Sequence, residues 1–362
     1  MMTILDRYVG GAVASSTAVV MLVLLALYAF ITLTGEMGSV GRGTYTVWSA
    51  TQYTLLTTPG RAYELFPLTA LLGALLGLGT LAGNSELTVM RAAGVSLWRI
   101  IWSVMKTGLV LVLLALVVGE AVAPPAERYA TEMRMERLAQ NVSVNTRQGL
   151  WARDGDTFIN VRRVQPDGRL VGVSLYELDA ERRLRRTTTA LSAEYRDAQW
   201  LLRDVRRTHF SYPGADQAGL ATQVERLPSM PWRSLLTPEL VQVVSVSPEM
   251  LAIWDLHSYV NYLRANELDA GRYELALWTK VAAPIATGVM VLLAVPFVFG
   301  SMRAVGVGQR ILVGTLLGIG FYLFNQLVGR AGLVWGISPA LAATLPTLLM
   351  LALAVWLVRR VR

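Results

Sequence analysis

Five stretches of this chain run without a charged residue over the roughly 20 positions a helix needs to cross the hydrocarbon core of a bilayer. They lie between Arg7 and Glu36, Glu64 and Glu86, Lys280 and Arg303, Arg310 and Arg330, and Arg330 and Arg359. Inside lipid every backbone N–H and C=O must find a partner within the protein, so each stretch is expected to be a helix. A sixth span is expected from about Trp98 to Val122. It contains Lys106 and Glu120, but both lie toward its ends, where a long side chain reaches the headgroups. The first stretch is too long for a signal peptide and no small-residue cleavage site follows it, so it is read as a retained span. Only 16% of the 362 residues are charged and 54% are hydrophobic, whereas a soluble domain carries about a quarter charged.

The charges are not spread evenly. Of the 58 charged residues, 40 fall between Glu127 and Glu274, which marks an inserted soluble domain. From Gly149 onward its pattern is β: TFINVRRV, RLVGVSLYEL, RRLRRTTTALSAEY and WLLRDVRRTHFSY alternate between turn signals at Pro166–Gly168, Asp179–Glu181 and Asp197–Gln199. Such spacing predicts a sandwich, jelly roll or open barrel. A helical lead-in is expected over about Pro124 to Ala139. An amphipathic helix is expected over about Leu251 to Leu263, with Leu251, Trp254, Tyr259 and Leu263 on one face lying at the membrane surface. The fold class is thus a membrane α-helical protein, three spans and three, around an all-β domain. The segments are 1–123, 124–254 and 255–362, the last holding the interfacial helix and spans four to six. Arginine placement sets the orientation. With the N-terminus in the cytoplasm, that side holds Arg7, Arg91, Arg99, Lys106, Arg303, Arg310, Arg359, Arg360 and Arg362, and the opposite short loops hold Arg42, Arg61 and Arg330. Both termini are then cytoplasmic and the β domain lies across the membrane.

Chemistry is largely excluded. There is no cysteine, and His209 and His257 are the two histidines, so no metal site and no cofactor is expected. No phosphate-binding loop, nucleophile elbow or zinc-protease motif occurs, which argues against an enzyme. The net charge of +8 is read as orientation signal and lipid-phosphate contact rather than as nucleic-acid binding. Arg182, Arg183, Arg185 and Arg186 are read first as a solvated strand face, with an anion site as the rival reading. Spans without midplane acids disfavour an ion-driven carrier, and a structural anchor would need one span, not six. Gly73, Gly77 and Gly79 allow close helix packing. The segment GNSELTVMRAAGV (Gly83 to Val95) reads either as a plain turn or as a short capped helix, with Asn84 or Ser85 starting it and Gly94 ending it.

These residues carry a resemblance. FPLTALLGALLGLGTLAGNSELTVMRAAGVS (Phe66 to Ser96) closely resembles the LptF/LptG family of lipopolysaccharide-export ABC transporter permeases, and LDRYVG, GLWARDG and LHSYVNYLRANELDAGRYELALWTK are similar to its LptG branch, with the LptF-type paralogue as the nearest rival. The resemblance implies a non-catalytic permease in a Gram-negative inner membrane with a periplasmic β-jellyroll. It implies an LptF-like permease as heterodimer partner, an LptB-like ATPase dimer, an LptC-like bitopic protein and lipopolysaccharide as cargo. It further implies that about 84–95 is a coupling helix in which Glu86, Leu87, Met90 and Arg91 meet the ATPase. Spans one and five would line the lipid cavity and form its gates, with Leu27, Phe30, Ile31, Phe321 and Phe324 as candidates. Some LptG proteins carry lysines in or just after span one against lipid A phosphates. Here those positions read Thr32, Thr34, Glu36 and Arg42, so Arg42, Arg61 and Arg330 are the phosphate candidates, weighed equally against membrane anchoring.

Overall fold

The computed structural model describes residues 4–138, 150–165, 168–179, 181–196, 199–212, 221–234, 248, 251–299 and 306–360. Expectations that rested on Gly149, Ala139, Pro166, Asp167, Ala180, Asp197, Ala198, Arg303 and Arg362 lie outside the described residues, as does the side chain of Arg310.

Among the described residues six helices are long and apolar enough to cross a membrane, at the six expected places. Span one is α1 (Ile4–Met37) and span two is α2 (Val47–Gly83). Thr46 starts α2 through a capping box: its hydroxyl accepts from the Ser49 N–H while the Ser49 hydroxyl accepts from the Thr46 N–H. A short helix, α3 (Glu86–Ala92), follows. Span three opens as α4 (Leu97–Val117), capped by Ser96, and passes through a π-helical turn (Val118–Val122) into α5 (Ala123–Leu138). Pro124 and Pro125 withdraw two donors from the helical ladder. The Ala123 N–H reaches back five residues to the Val118 carbonyl, which is the π turn. The run Leu97–Leu138 spans 42 residues, about 63 Å of helix against a hydrocarbon core of about 30 Å. The polar α5 therefore stands clear of the bilayer core as the expected lead-in.

The inserted domain is a six-stranded antiparallel sheet: β1 (Leu150–Asp154), β2 (Thr157–Val164), β3 (Leu170–Leu178), β4 (Leu184–Arg196), β5 (Gln199–Ser211) and β6 (Ala221–Trp232). The strands pair in chain order, so among the described residues the expected β domain is a single antiparallel meander, without the two-sheet order of a jellyroll. Asp154 pairs with Thr157 across the tight turn that joins β1 to β2. One sheet face carries Ile159, Val161, Val173, Leu175, Ala190, Trp200, Leu202 and Val205, all buried.

That face is covered by α6 (Ile253–Ala265), which contributes Leu256, Tyr259, Val260, Tyr262 and Leu263 to the same core. The helix forms where it was expected, and its apolar stripe meets the sheet. Leu251, Tyr259 and Leu263 do turn inward, but Trp254 is 80% exposed on the other side.

The last three spans are α7 (Gly271–Phe299), α8 (Val307–Val334) and α9 (Pro339–Arg360). The bundle core runs through α2, α4 and α7, with Leu71, Leu75, Leu78, Ile100, Val104, Val291 and Leu293 fully buried or nearly so. α1 lies tightly on α2. A Cβ at Gly73 would sit 2.1 Å from the Thr17 hydroxyl, and one at Gly77 would sit 2.6 Å from the Ala12 carbonyl oxygen. Small residues thus serve the close approach expected of them.

Candidate functional site

Three regions carry the residues singled out from the sequence. The first is α3. It forms as a helix, and its end is the one expected: Gly94 takes φ +90°, its N–H bonds the Arg91 carbonyl at 3.0 Å, and the Val95 N–H bonds the Met90 carbonyl at 3.0 Å. That pair of bonds is a Schellman motif. The start differs from expectation. Ser85 sits in the left-handed region at φ 62° and its side chain makes no cap, while Asn84 donates its side-chain amide to Glu86 Oε1 at 3.3 Å. The other Glu86 oxygen accepts from the Tyr8 hydroxyl at 2.6 Å, so α3 is tied to the first turns of α1.

Within α3 the four residues expected to act together divide. Leu87 is 3% exposed and belongs to the bundle core, with Met90 packed against that core. Both therefore anchor the helix to its own chain. Val89 is 65% exposed and Arg91 lies open beside it, so the outward face is Thr88, Val89, Arg91 and Ala92. A cavity of about 380 Å³ opens next to that face, lined by Ala82, Leu87, Thr88, Arg91, Ala92, Val298 and Phe299. The sequence alone missed Tyr8. No local pattern relates a residue in α1 to a carboxylate in α3, because only the tertiary packing of α1 on α2 brings them together.

The second region is cationic and gathers where α1, α2 and α5 meet at the sheet end. Arg42 is exposed in the loop after α1, and that loop rests on α5 through the Thr44 N–H bond to the Arg137 carbonyl at 2.9 Å. Arg61 is half-buried and already committed: Nη1 meets both Glu64 carboxylate oxygens at 2.9 and 2.8 Å, and Nε donates to the Tyr28 hydroxyl at 2.7 Å. A guanidinium so neutralised has little attraction left for a phosphate. Arg330 is exposed on α8. Two arginines overlooked in the sequence stand at this place as well. Arg134 donates to Glu36 at 2.9 Å, and Arg137 donates to Ser49 and Gln52 at 2.7 and 2.9 Å. Their i, i+3 spacing on α5 puts both on one helix face and was the signal available.

Behind Arg61 lies Glu127 on α5, 3% exposed against Gly60, with Oε2 lacking a partner. Burial pushes its carboxyl up to about 6, Arg61 pulls it down and Glu64 pushes it up again.

The third region is apolar. Leu27, Phe30 and Ile31 on α1 are 56%, 69% and 61% exposed. The α8 face carries exposed Leu316, Leu323 and Leu327, with Phe324 half-buried. Phe321 differs from its group, being 8% exposed and part of the bundle core. α1 and α8 pack on different faces of α2, where Gly314 and Gly318 meet Leu72, Leu75 and Leu68. The two helices therefore present two outward apolar walls flanking one central helix.

A polytopic bundle, two exposed apolar helix faces, an inserted sheet and a short helix between spans two and three are the parts of a membrane permease subunit. The comparisons with known proteins agree with that class. Residues 7–360 match the family described as lipopolysaccharide export system permease LptF/LptG. The chain is 38% identical to the lipopolysaccharide export system permease protein LptG of Escherichia coli K12 over 359 residues, covering 99% of this chain and 98% of the relative. It is 36% identical to the protein of the same name from Haemophilus influenzae over 364 residues, covering all of both. The chain belongs to the LptF/LptG family.

Proposed function

We propose that this chain is the LptG-type permease half of an ATP-driven exporter that withdraws lipopolysaccharide from the inner membrane and passes it toward a bridge leading to the outer membrane. The observation that carries the reading is the placement of two unpartnered apolar helix faces, α1 and α8, beside a short helix hydrogen-bonded to α1 through Tyr8 and Glu86. A lipid with several acyl chains needs a wide apolar wall, and it needs that wall to move when ATP is spent.

The partners in this reading are an LptF-like permease that completes the cavity, an LptB-like ATPase dimer against α3, and an LptC-like bitopic protein that receives the lipid. α3 is then the coupling helix, with Val89 and Arg91 facing the ATPase, Leu87 and Met90 anchoring it, and Glu86 joining its motion to the gate helix α1. Leu27, Phe30, Ile31 and Phe324 line the cavity. Arg42 and Arg330 remain the phosphate contacts from the original set, and Arg61 holds Tyr28 and Glu64 instead. The α3 end and both termini face the cytoplasm, and the sheet faces the periplasm.

The test is reconstitution. The chain, purified with its permease partner and ATPase, is placed in vesicles with lipopolysaccharide, and the lipid released per ATP hydrolysed is measured. ATP-dependent release is expected from the parent complex, and none would remove the reading. Glu86→Lys is expected to lower release per ATP by about tenfold, the factor one hydrogen bond to a charged group contributes to a two-state equilibrium. Unchanged release with normal ATPase binding would remove the coupling role of Glu86.

A further inference from the structure

Glu120, in span three, is used by nothing described so far. It lies in the π turn, and such turns interrupt helices chiefly where a side chain has work to do. Its two carboxylate oxygens face different elements. Oε1 meets Lys280 Nζ of α7 at 3.2 Å. Oε2 accepts the Ile253 N–H at 2.8 Å, the first free donor of α6. The residue at the start of α6 is Ala252, which has no side chain able to cap, so Glu120 supplies the cap from another helix.

Lys280 completes the junction. It is 5% exposed, and its ammonium also donates to the Gly119 carbonyl at 3.2 Å. Its own carbonyl accepts from the Tyr63 hydroxyl of α2 at 2.9 Å. The Tyr63 ring lies so close to Gly119 that a Cβ there would sit 2.4 Å from it. The ion pair of a buried Lys280 with a half-buried Glu120, and the hydrogen bonds around it, therefore join α2, span three, α6 and α7.

α6 carries the connection on into the sheet. Its apolar stripe lies in the sheet core, the Tyr262 hydroxyl donates to the Arg153 carbonyl at 2.9 Å, and Asn266 Oδ1 accepts from the Gly155 N–H at 3.3 Å. Asp255 of α6 also pairs with Arg128 of α5. α1 and α8 pack on the remaining faces of α2.

We infer that Glu120 and Lys280 are positioning residues that lock the sheet to spans two, three and four as one rigid body. Such a pair suits a joint, because any displacement that separates the charges leaves the buried Lys280 ammonium uncompensated. The inference goes beyond the permease reading, and its test does not depend on which lipid is carried.

The chain has no native cysteine, so spin labels can be placed at will. Labels at Leu55→Cys on α2 and Leu191→Cys on β4, both exposed, report the distance between bundle and sheet by pulsed electron resonance. In the full complex the distribution is expected to be narrow and to keep its mean with and without trapped nucleotide. Glu120→Ala is expected to broaden it at least twofold. Glu120→Gln, which keeps an oxygen for the Ile253 N–H but leaves the Lys280 ammonium without its opposite charge, is expected to broaden it too, by less than Glu120→Ala. If Glu120→Ala does not yield folded protein, Lys280→Met carries the test with the same expected broadening. A folded Glu120→Ala or Lys280→Met with the parent's distribution would overturn the joint. A parent mean that shifts with nucleotide would overturn the rigid body.

Discussion

Glu127 is the residue where burial and charge compete most openly. Its carboxyl is raised to about 6 because the pocket between α5 and α2 disfavours the charged form. The folded-state value lies above the unfolded one, so its stabilising share is complete below about pH 4.5 and is lost as pH rises through about 6. Glu127→Gln is therefore expected to raise the unfolding temperature at pH 8 and to leave it nearly unchanged at pH 4.5, followed by thermal unfolding at the two values. A larger gain at the acid value would contradict the assignment. Other single residues divided cleanly between legible and hidden. Gly94 was readable as a helix stop because its conformation is a local property. The Glu86 bond to Tyr8 and the commitment of Arg61 to Tyr28 were not, since each pairs residues from different helices.

At the level of elements, exposure separates two of the three phenylalanines expected to line the cavity, Phe30 and Phe321. Phe321 packs in the bundle core, so Phe321→Ala is expected to cost about 3–5 kcal/mol of stability. Phe30 faces outward on α1, so Phe30→Ser is expected to change stability by no more than about 0.5 kcal/mol while lowering lipid crosslinking and release. Thermal unfolding and photo-crosslinking on the same pair of variants check both halves, and equal effects on stability would refute the distinction. The spans themselves were legible because charge-free length is a one-dimensional property. β6 was not: Pro228 and Pro231 interrupt its alternation, and prolines are tolerated at this last strand of the described sheet because it pairs only with β5 there. Trp254 shared helical spacing with buried residues, and which side of α6 is covered depended on where the sheet lies.

At the scale of the whole molecule, six spans place both chain ends on the α3 side and the sheet on the other. The proposed orientation predicts that a membrane-impermeant thiol reagent labels Leu191→Cys in cells with only the outer membrane opened, and labels Val89→Cys only after the inner membrane is breached. Both positions are exposed, so a reversed pattern would reverse the orientation.

The sequence by itself determined the number of spans, the place and strand-rich character of the insertion, and the close packing at Gly73 and Gly77. Each follows from forces that act along or very near the chain: desolvation of the backbone in lipid, alternation of side chains in a strand, and the small bulk of glycine. Tertiary structure alone decided which charges are free and which are spent, and which apolar residues form walls rather than core. Lys106 and Glu120 show the reason. In the sequence they were two awkward charges near the ends of span three, pointed at headgroups. In the fold each finds an opposite charge at least a hundred residues away, Asp6 at 2.6 Å and Lys280 at 3.2 Å. An ion pair between distant helices depends on their packing geometry, which no local pattern encodes.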